Sequence, residues 1–343
     1  MAVSMPSADP VGEPALLATH GLHKTFEQRP DLAARLVALF GAHFDRRSVH
    51  AVDDVNLSIR QGEVVGLVGE SGCGKSTLGR LIAGIMAPTD GDVLIDGKTV
   101  GTLRGAERKA AHLSVQMVFQ DPMSSLNPRH RVEKIIQQAP LSHGLITRGE
   151  ASDYVADILD QVGLPPDAAR RFPHQFSGGQ RQRIGIARAL AVRPRLVVAD
   201  EAVAALDVSI QAQIVNLFMD LRDQHALTYL FISHDLSVIE HISDRTVVMY
   251  LGRVVESAPT DRLFRDTNHP YTQSLIDERP RIGRRRKDYR PIQGEIPSPL
   301  DPPSGCHFHT RCPHAMPRCR VEAPVARTIA PGHVSACHLN DTN

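Results

Sequence analysis

The stretch Gly69-Glu70-Ser71-Gly72-Cys73-Gly74-Lys75-Ser76-Thr77 constrains this chain more than any other. It fits G-x-x-x-x-G-K-[ST], a loop that cradles phosphate groups. The apolar run 64–68 before it reads as a buried strand, and 78–85 after it has helical spacing. Glycines let the backbone curl so that several N–H groups face a phosphate chain. The helix that starts there adds the positive end of its dipole. Lys75 is placed to reach the β- and γ-phosphates of a nucleotide, and the Ser76 hydroxyl to hold Mg²⁺. An α/β core with one nucleotide site is expected, because the phosphate loop occurs once.

Other buried strands are expected to end in polar residues. The run 114–119 leads to Gln120, 196–199 leads to Asp200 and Glu201, and 229–233 leads to His234. Asp200 is placed to hold Mg²⁺. Glu201 points elsewhere, because side chains alternate along a strand, and is the candidate to polarise an attacking water. Gln120 is a candidate for Mg²⁺ or the water, and His234 for the γ-phosphate. Phe26, after a strand-like stretch, reads either as an adenine-stacking ring or as an ordinary edge residue. Between the strands, 132–172 has helical patterning only, and Ser177-Gly178-Gly179-Gln180 opens a further helix. The stretch 31–44, with Leu32, Leu36, Leu39 and Phe40 on one face, reads as an amphipathic insert packed on its own domain.

Bulk properties exclude several classes. The net charge is +1, tryptophan is absent and aromatics make up 4%, so neither a basic nucleic-acid face nor a base-stacking platform is expected. No apolar run approaches the roughly 20 residues of a membrane-spanning helix. Residues 1–14 lack a basic patch followed by an apolar core, so a cytosolic location is expected. Past Tyr271 the composition shifts to a basic run at 281–290, a proline-rich stretch and then cysteines. Cys306, Cys312, Cys319 and Cys337 have the spacing C-x5-C-x6-C-x17-C. Four thiolates can fill a tetrahedral zinc site or hold an iron–sulfur cluster, and nearby histidines keep mixed zinc ligation open. A tail this short has little core of its own, so a metal staple is physically reasonable. Disturbing it is expected to spare nucleotide binding. Cys73, near a helix start and Lys75, has two features that lower a thiol pKa, although a tolerated small residue is the preferred reading.

The ordered set resembles the ATP-binding-cassette ATPases. The phosphate loop, Gln120, Ser177-Gly178-Gly179-Gln180, Asp200-Glu201, Ala204-Ala205-Leu206-Asp207 and His234 all match that family's motifs. Phe119-Gln120-Asp121-Pro122, Ser125-Leu126-Asn127-Pro128-Arg129 and His269-Pro270-Tyr271-Thr272 look like the dipeptide/oligopeptide importer branch, as do Gly294-Glu295-Ile296-Pro297-Ser298-Pro299 and Pro302-Pro303-Ser304-Gly305-Cys306. Three positions depart from the usual pattern: Ala202 stands for proline, Ala204 for serine and Phe176 for leucine.

The resemblance implies an ATP-binding domain over 15–275, with a helical signature subdomain at about 121–190, and a cysteine-rich extension over 276–343. It implies ATP and Mg²⁺ as ligands, with the signature of one subunit closing over the ATP of another. It favours a four-iron cluster over zinc at the cysteines. It also implies a second ATPase subunit, two transmembrane permease subunits and an extracytoplasmic peptide-binding protein, at the cytoplasmic face of the cell membrane. Nickel complexes and glutathione are alternative cargoes, and a soluble cassette acting on nucleic acid is the remaining class.

Overall fold

The computed structural model describes residues 15–27, 48–204, 206–278 and 294–341. The amphipathic stretch 31–44, the basic run 281–290, the N-terminal 1–14 and Ala205 lie outside the described residues. The fold is built on an eight-stranded sheet. Its parallel part contains β3 (Val64–Val68), β6 (Val115–Val118), β7 (Leu196–Asp200), β8 (Thr228–Ile232) and β9 (Arg245–Tyr250). The order across this part is β9-β3-β8-β7-β6. A smaller antiparallel sheet holds β1 (Leu17–Glu27), β2 (Ser48–Ile59), β4 (Asp90–Ile95) and β5 (Lys98–Thr99).

The parallel strands are predominantly apolar because both faces are covered. Alternation sends their side chains to opposite cores. In β8, Tyr229 and Phe231 enter one core and Leu230 and Ile232 the other. The first core lies against helices, among them α4 (Val132–His143), α5 (Ala151–Gln161), α6 (Gly178–Leu190) and α7 (Val208–His225). Phe218 of α7 meets Tyr229 and Phe231 edge-on, each with ring centroids 5.5 Å apart. The second core is closed by the small sheet and by α1 (Lys75–Ile82), through Leu78, Leu81 and Ile82. Elements that periodicity did not single out are α2 (Gly105–Ser114), the short α3 (Pro122–Ser125), α8 (Leu236–Ile242), α9 (Thr260–Arg265) and α10 (Pro270–Asp277).

The C-terminal segment joins the same sheet. Strand β10 (Arg253–Pro259) pairs with β9, β12 (His333–Ser335) pairs with β10, and β11 (Arg327–Ala330) closes that edge. The register sets Glu256 opposite Ser335. Glu256 is buried, and accepts hydrogen bonds from His333 Nε2 at 2.7 Å and from the amides of Asn268 at 2.9 Å and His269 at 3.0 Å. Burial pushes its carboxyl up, but these donors outweigh that and hold it below the ordinary value. Phe308 enters the main core edge-on to Tyr250, at 5.3 Å.

His269 caps α10, its Nδ1 accepting from the Tyr271 amide at 3.1 Å. Burial lowers its pKa to about 4, against a weaker opposite pull from Glu256. Between the ordinary 6.5 and about 4 the unfolded chain takes up a proton that the folded chain refuses. Its contribution is therefore complete above pH 6.5 and drains away as the pH falls toward 4. A series of denaturant melts from pH 7 to pH 4 should show this loss. His269→Asn, which keeps a capping oxygen without the titration, should flatten that part of the profile.

Candidate nucleotide-binding site

Register brings the polar strand ends to one edge. Val118 pairs with Ala199, Asp200 with Ile232, and Leu67 with Ile232. Gln120, Glu201, His234 and the phosphate loop therefore all follow the carboxyl ends of parallel strands, where open α/β sheets bind ligands. Gln120 is exposed there.

The loop needs its glycines. Gly69 and Gly74 hold φ of 151° and 107°, and a Cβ would lie 2.1 Å from the Met249 carbonyl oxygen and 2.0 Å from that of Ala51. Gly74 also starts α1 three residues earlier than the helical spacing alone indicated. Lys75 is buried, and its Nζ donates to the carbonyls of Gly69 at 2.7 Å and Glu70 at 2.9 Å. Cys73 is buried too. Desolvation raises its thiol pKa despite the pull of Lys75, in keeping with the preferred reading of a tolerated small residue and against an activated thiol.

Ser76 Oγ donates to Asp200 Oδ1 at 2.7 Å. These are oxygens of the kind Mg²⁺ takes. Burial raises the Asp200 carboxyl, with the Ser76 hydrogen bond opposing. Glu201 leaves the strand with φ of 47°, and its amide donates to the Ile232 carbonyl at 2.9 Å. Its carboxylate lies 3.5 Å from His234 Nδ1, whose ring is largely exposed. Phe26, at the end of β1, is exposed, with Lys24 Nζ 5.4 Å from its ring centroid.

One group of contacts was not read from the sequence. The Glu70 carboxylate is held by Arg311 through two hydrogen bonds, of 2.7 and 2.9 Å, and the Glu70 amide donates to the Tyr271 hydroxyl at 2.8 Å. Arg311 and Glu70 are 241 positions apart. A signal existed: a carboxylate inside a loop that binds anions calls for a cation beside it.

Comparison with known proteins identifies the family. A family model described as ABC transporter matches residues 52–204, and one described as oligopeptide/dipeptide transporter, C-terminal region, matches 255–319. The chain is 50% identical over 295 residues to the oligopeptide transport ATP-binding protein AppF of Bacillus subtilis, covering 85% of this chain and 90% of that one. The chain belongs to the ABC transporter ATPases. A probable peptide ABC transporter ATP-binding protein of Sinorhizobium fredii, y4tS, is also 50% identical, over 85% of this chain and 83% of that one. Among solved structures, the ATP-binding cassette MJ0796, a dimer in a post-hydrolysis state bound to ADP and phosphate, gives a TM-score of 0.60 at 27% identity. It covers 71% of this chain and 98% of that one. The structure of cbiO1 from Clostridium perfringens, part of an ABC transporter complex, also gives 0.60, at 25% identity, over 74% and 92%.

In this ABC ATPase the signature residues open α6. Ser177 Oγ accepts from the Gln180 amide at 3.4 Å, and Gln180 Oε1 accepts from the Ser177 amide at 3.1 Å. Ser177 and Gly178 are exposed, and Gly179 packs on Ile210 of α7. No helix among the described residues is long and apolar enough to cross a membrane.

Cys306, Cys312, Cys319 and Cys337 line one pocket, with Phe308 and Met316 as apolar walls. Burial pushes the Cys306 thiol up to about 11, and raises Cys312 and Cys337 as well. Among the described residues no group of three or more His, Cys, Asp or Glu side chains is disposed around a point as metal ligands. The four sulfurs share a place without the geometry of a preformed metal site.

The raised Asp200 carboxyl means that the folded chain holds a proton more tightly than the unfolded chain just above pH 3.8. Stability therefore falls as the pH rises through the folded value, and at neutral pH the charge is a burden. Asp200→Asn should raise nucleotide-free stability by about 0.5–2 kcal/mol, as relief of a strained site does. A thermal melt at pH 7 that moved down instead would contradict this account of Asp200.

Proposed function

We propose that this chain is the ATP-hydrolysing subunit of an importer for di- or oligopeptides, working at the cytoplasmic face of the cell membrane. The carrying observation is the match of 255–319 to the oligopeptide/dipeptide transporter C-terminal region, alongside half-identity to proteins named for peptide transport.

The site residues then take specific work. Phe26 stacks on adenine. The amides of Gly69, Glu70, Ser71, Gly72, Cys73, Gly74, Lys75, Ser76 and Thr77 surround the phosphates, and Lys75 swings from its two carbonyls to the β- and γ-phosphates. Ser76, Asp200 and Gln120 hold Mg²⁺, which supplies positive charge to the phosphate oxygens. Glu201 orients the attacking water and accepts its proton, a contribution of about 10²–10⁴-fold. His234, within reach of Glu201, donates toward the γ-phosphate. Ser177, Gly178, Gly179 and Gln180 of a second ATPase subunit close over that phosphate. The exposure of Ser177 and Gly178 here fits contact with another subunit. Two permease subunits dock on the helical segment, and an extracytoplasmic binding protein delivers the peptide.

The four convergent cysteines offer a donor set for a four-iron cluster, or for zinc. Metal analysis of the purified chain, with its visible absorption, separates these: a broad iron–sulfur band with iron present, or zinc without colour. Cys312→Ser should lose either.

For the main reading, labelled-dipeptide uptake is measured in cells lacking this gene. Wild type should restore uptake. Glu201→Gln should bind ATP yet lower turnover by about 10²-fold or more, and restore nothing. Uptake that never depended on the gene would remove the peptide cargo.

A further inference from the structure

The phosphate loop carries a negative charge of its own. Glu70 is its second residue, in a loop whose other features all favour anions. A bare carboxylate there repels the β- and γ-phosphates of any nucleotide that enters. The Arg311 guanidinium meets it with two hydrogen bonds, of 2.7 and 2.9 Å. The Arg311 side chain is only 5% exposed, so the pair is poorly screened by solvent. Arg311 also donates to the Tyr250 hydroxyl at 3.4 Å, while its buried Nε has no partner among the described residues. Its polar contacts are thus concentrated on one carboxylate, in the bidentate geometry that guanidinium favours.

The support for Arg311 comes from the C-terminal segment. Its neighbour Phe308 packs between Tyr250 and Tyr271, with both ring centroids 5.3 Å away. Tyr271 itself accepts the Glu70 amide hydrogen bond. His307 Nδ1 bonds to the Leu251 carbonyl at 3.0 Å. The segment between Cys306 and Cys312 therefore holds the charge of the phosphate loop through Arg311 and packs against the tyrosine that accepts the loop's Glu70 amide.

We propose that Arg311 is a positioning and charge-compensating residue of the ATP site, cancelling Glu70 so that the loop can accept a polyanionic nucleotide. This rests on the reading of residues 69–77 as the ATP site. Arg311 acts through its two hydrogen bonds to Glu70. On this proposal, disturbing the cysteine-bearing tail weakens ATP binding, against the expectation that it is spared, because the tail supplies part of the site's charge balance.

The test is a charge series on the purified full chain, titrated with fluorescent ATP, ADP and adenosine. Arg311→Met leaves Glu70 uncompensated and should weaken ATP about five- to twenty-fold, ADP less, and adenosine little. Glu70→Gln leaves the arginine in excess and should tighten ATP. The double variant restores neutrality and should return ATP affinity to within about three-fold of wild type, as the two opposite single effects cancel. All differences should shrink at high salt. Weakening by all three variants alike, or equal losses for ATP and adenosine, would show a merely structural contact and overturn the proposal. Glu70→Gln keeps the test open if Arg311→Met does not fold. Wild type that bound no ATP would instead remove the ATP-site reading itself.

Discussion

The equal termination of neighbouring parallel strands is the constraint on which the site depends. Parallel pairing fixes which residues stand level, so β3, β6, β7 and β8 deliver their last residues to one edge of the sheet. Each strand is buried on both faces, and a shift of register would place polar ends inside two apolar cores. Packing energy in the cores therefore holds the geometry of the edge. The edge itself is costly. Asp200 is buried with a raised carboxyl, and Glu201 keeps a left-handed backbone.

The same economy of charge appears at the far edge of the sheet. Glu256 is buried between two strands and remains ionised because His333 and two backbone amides satisfy it. A buried carboxylate with one missing donor is strongly destabilising. The network thus ties β12 and the turn before α10 to the strand they adjoin. The C-terminal segment is held to the ATP-binding core by this carboxylate on one side and by Glu70 with Phe308 on the other.

Much of this was legible locally. Short apolar runs gave β3, β7 and β8, because a strand buried on both faces needs no partner information to look like one. The phosphate loop declared itself through glycines whose added Cβ atoms would collide with backbone. The residues Asp200, Glu201 and His234 were visible as polar ends of apolar runs. What stayed hidden was long-range. Glu70 and Arg311 each look like ordinary solvent-facing charges until the chain folds, and nothing near either one names the other. The strands β11 and β12 are too short for periodicity, and they exist because β10 offers an open edge. Two local features of Cys73 pointed to a lowered thiol pKa, and the burial that outweighs the neighbouring lysine is a tertiary quantity that the sequence does not display.

The distance along the chain between Glu70 and Arg311 also sets an order of events. Synthesis runs from the amino terminus, so the phosphate loop leaves the ribosome 241 residues before the guanidinium that answers it. On the proposed charge compensation, the nascent loop carries an unopposed carboxylate for that interval and binds its polyanionic ligand weakly. Nucleotide capture then becomes a late event, available to chains whose final segment has docked. A truncated product would present the glycine-rich motif intact and still be a poor competitor for cellular ATP.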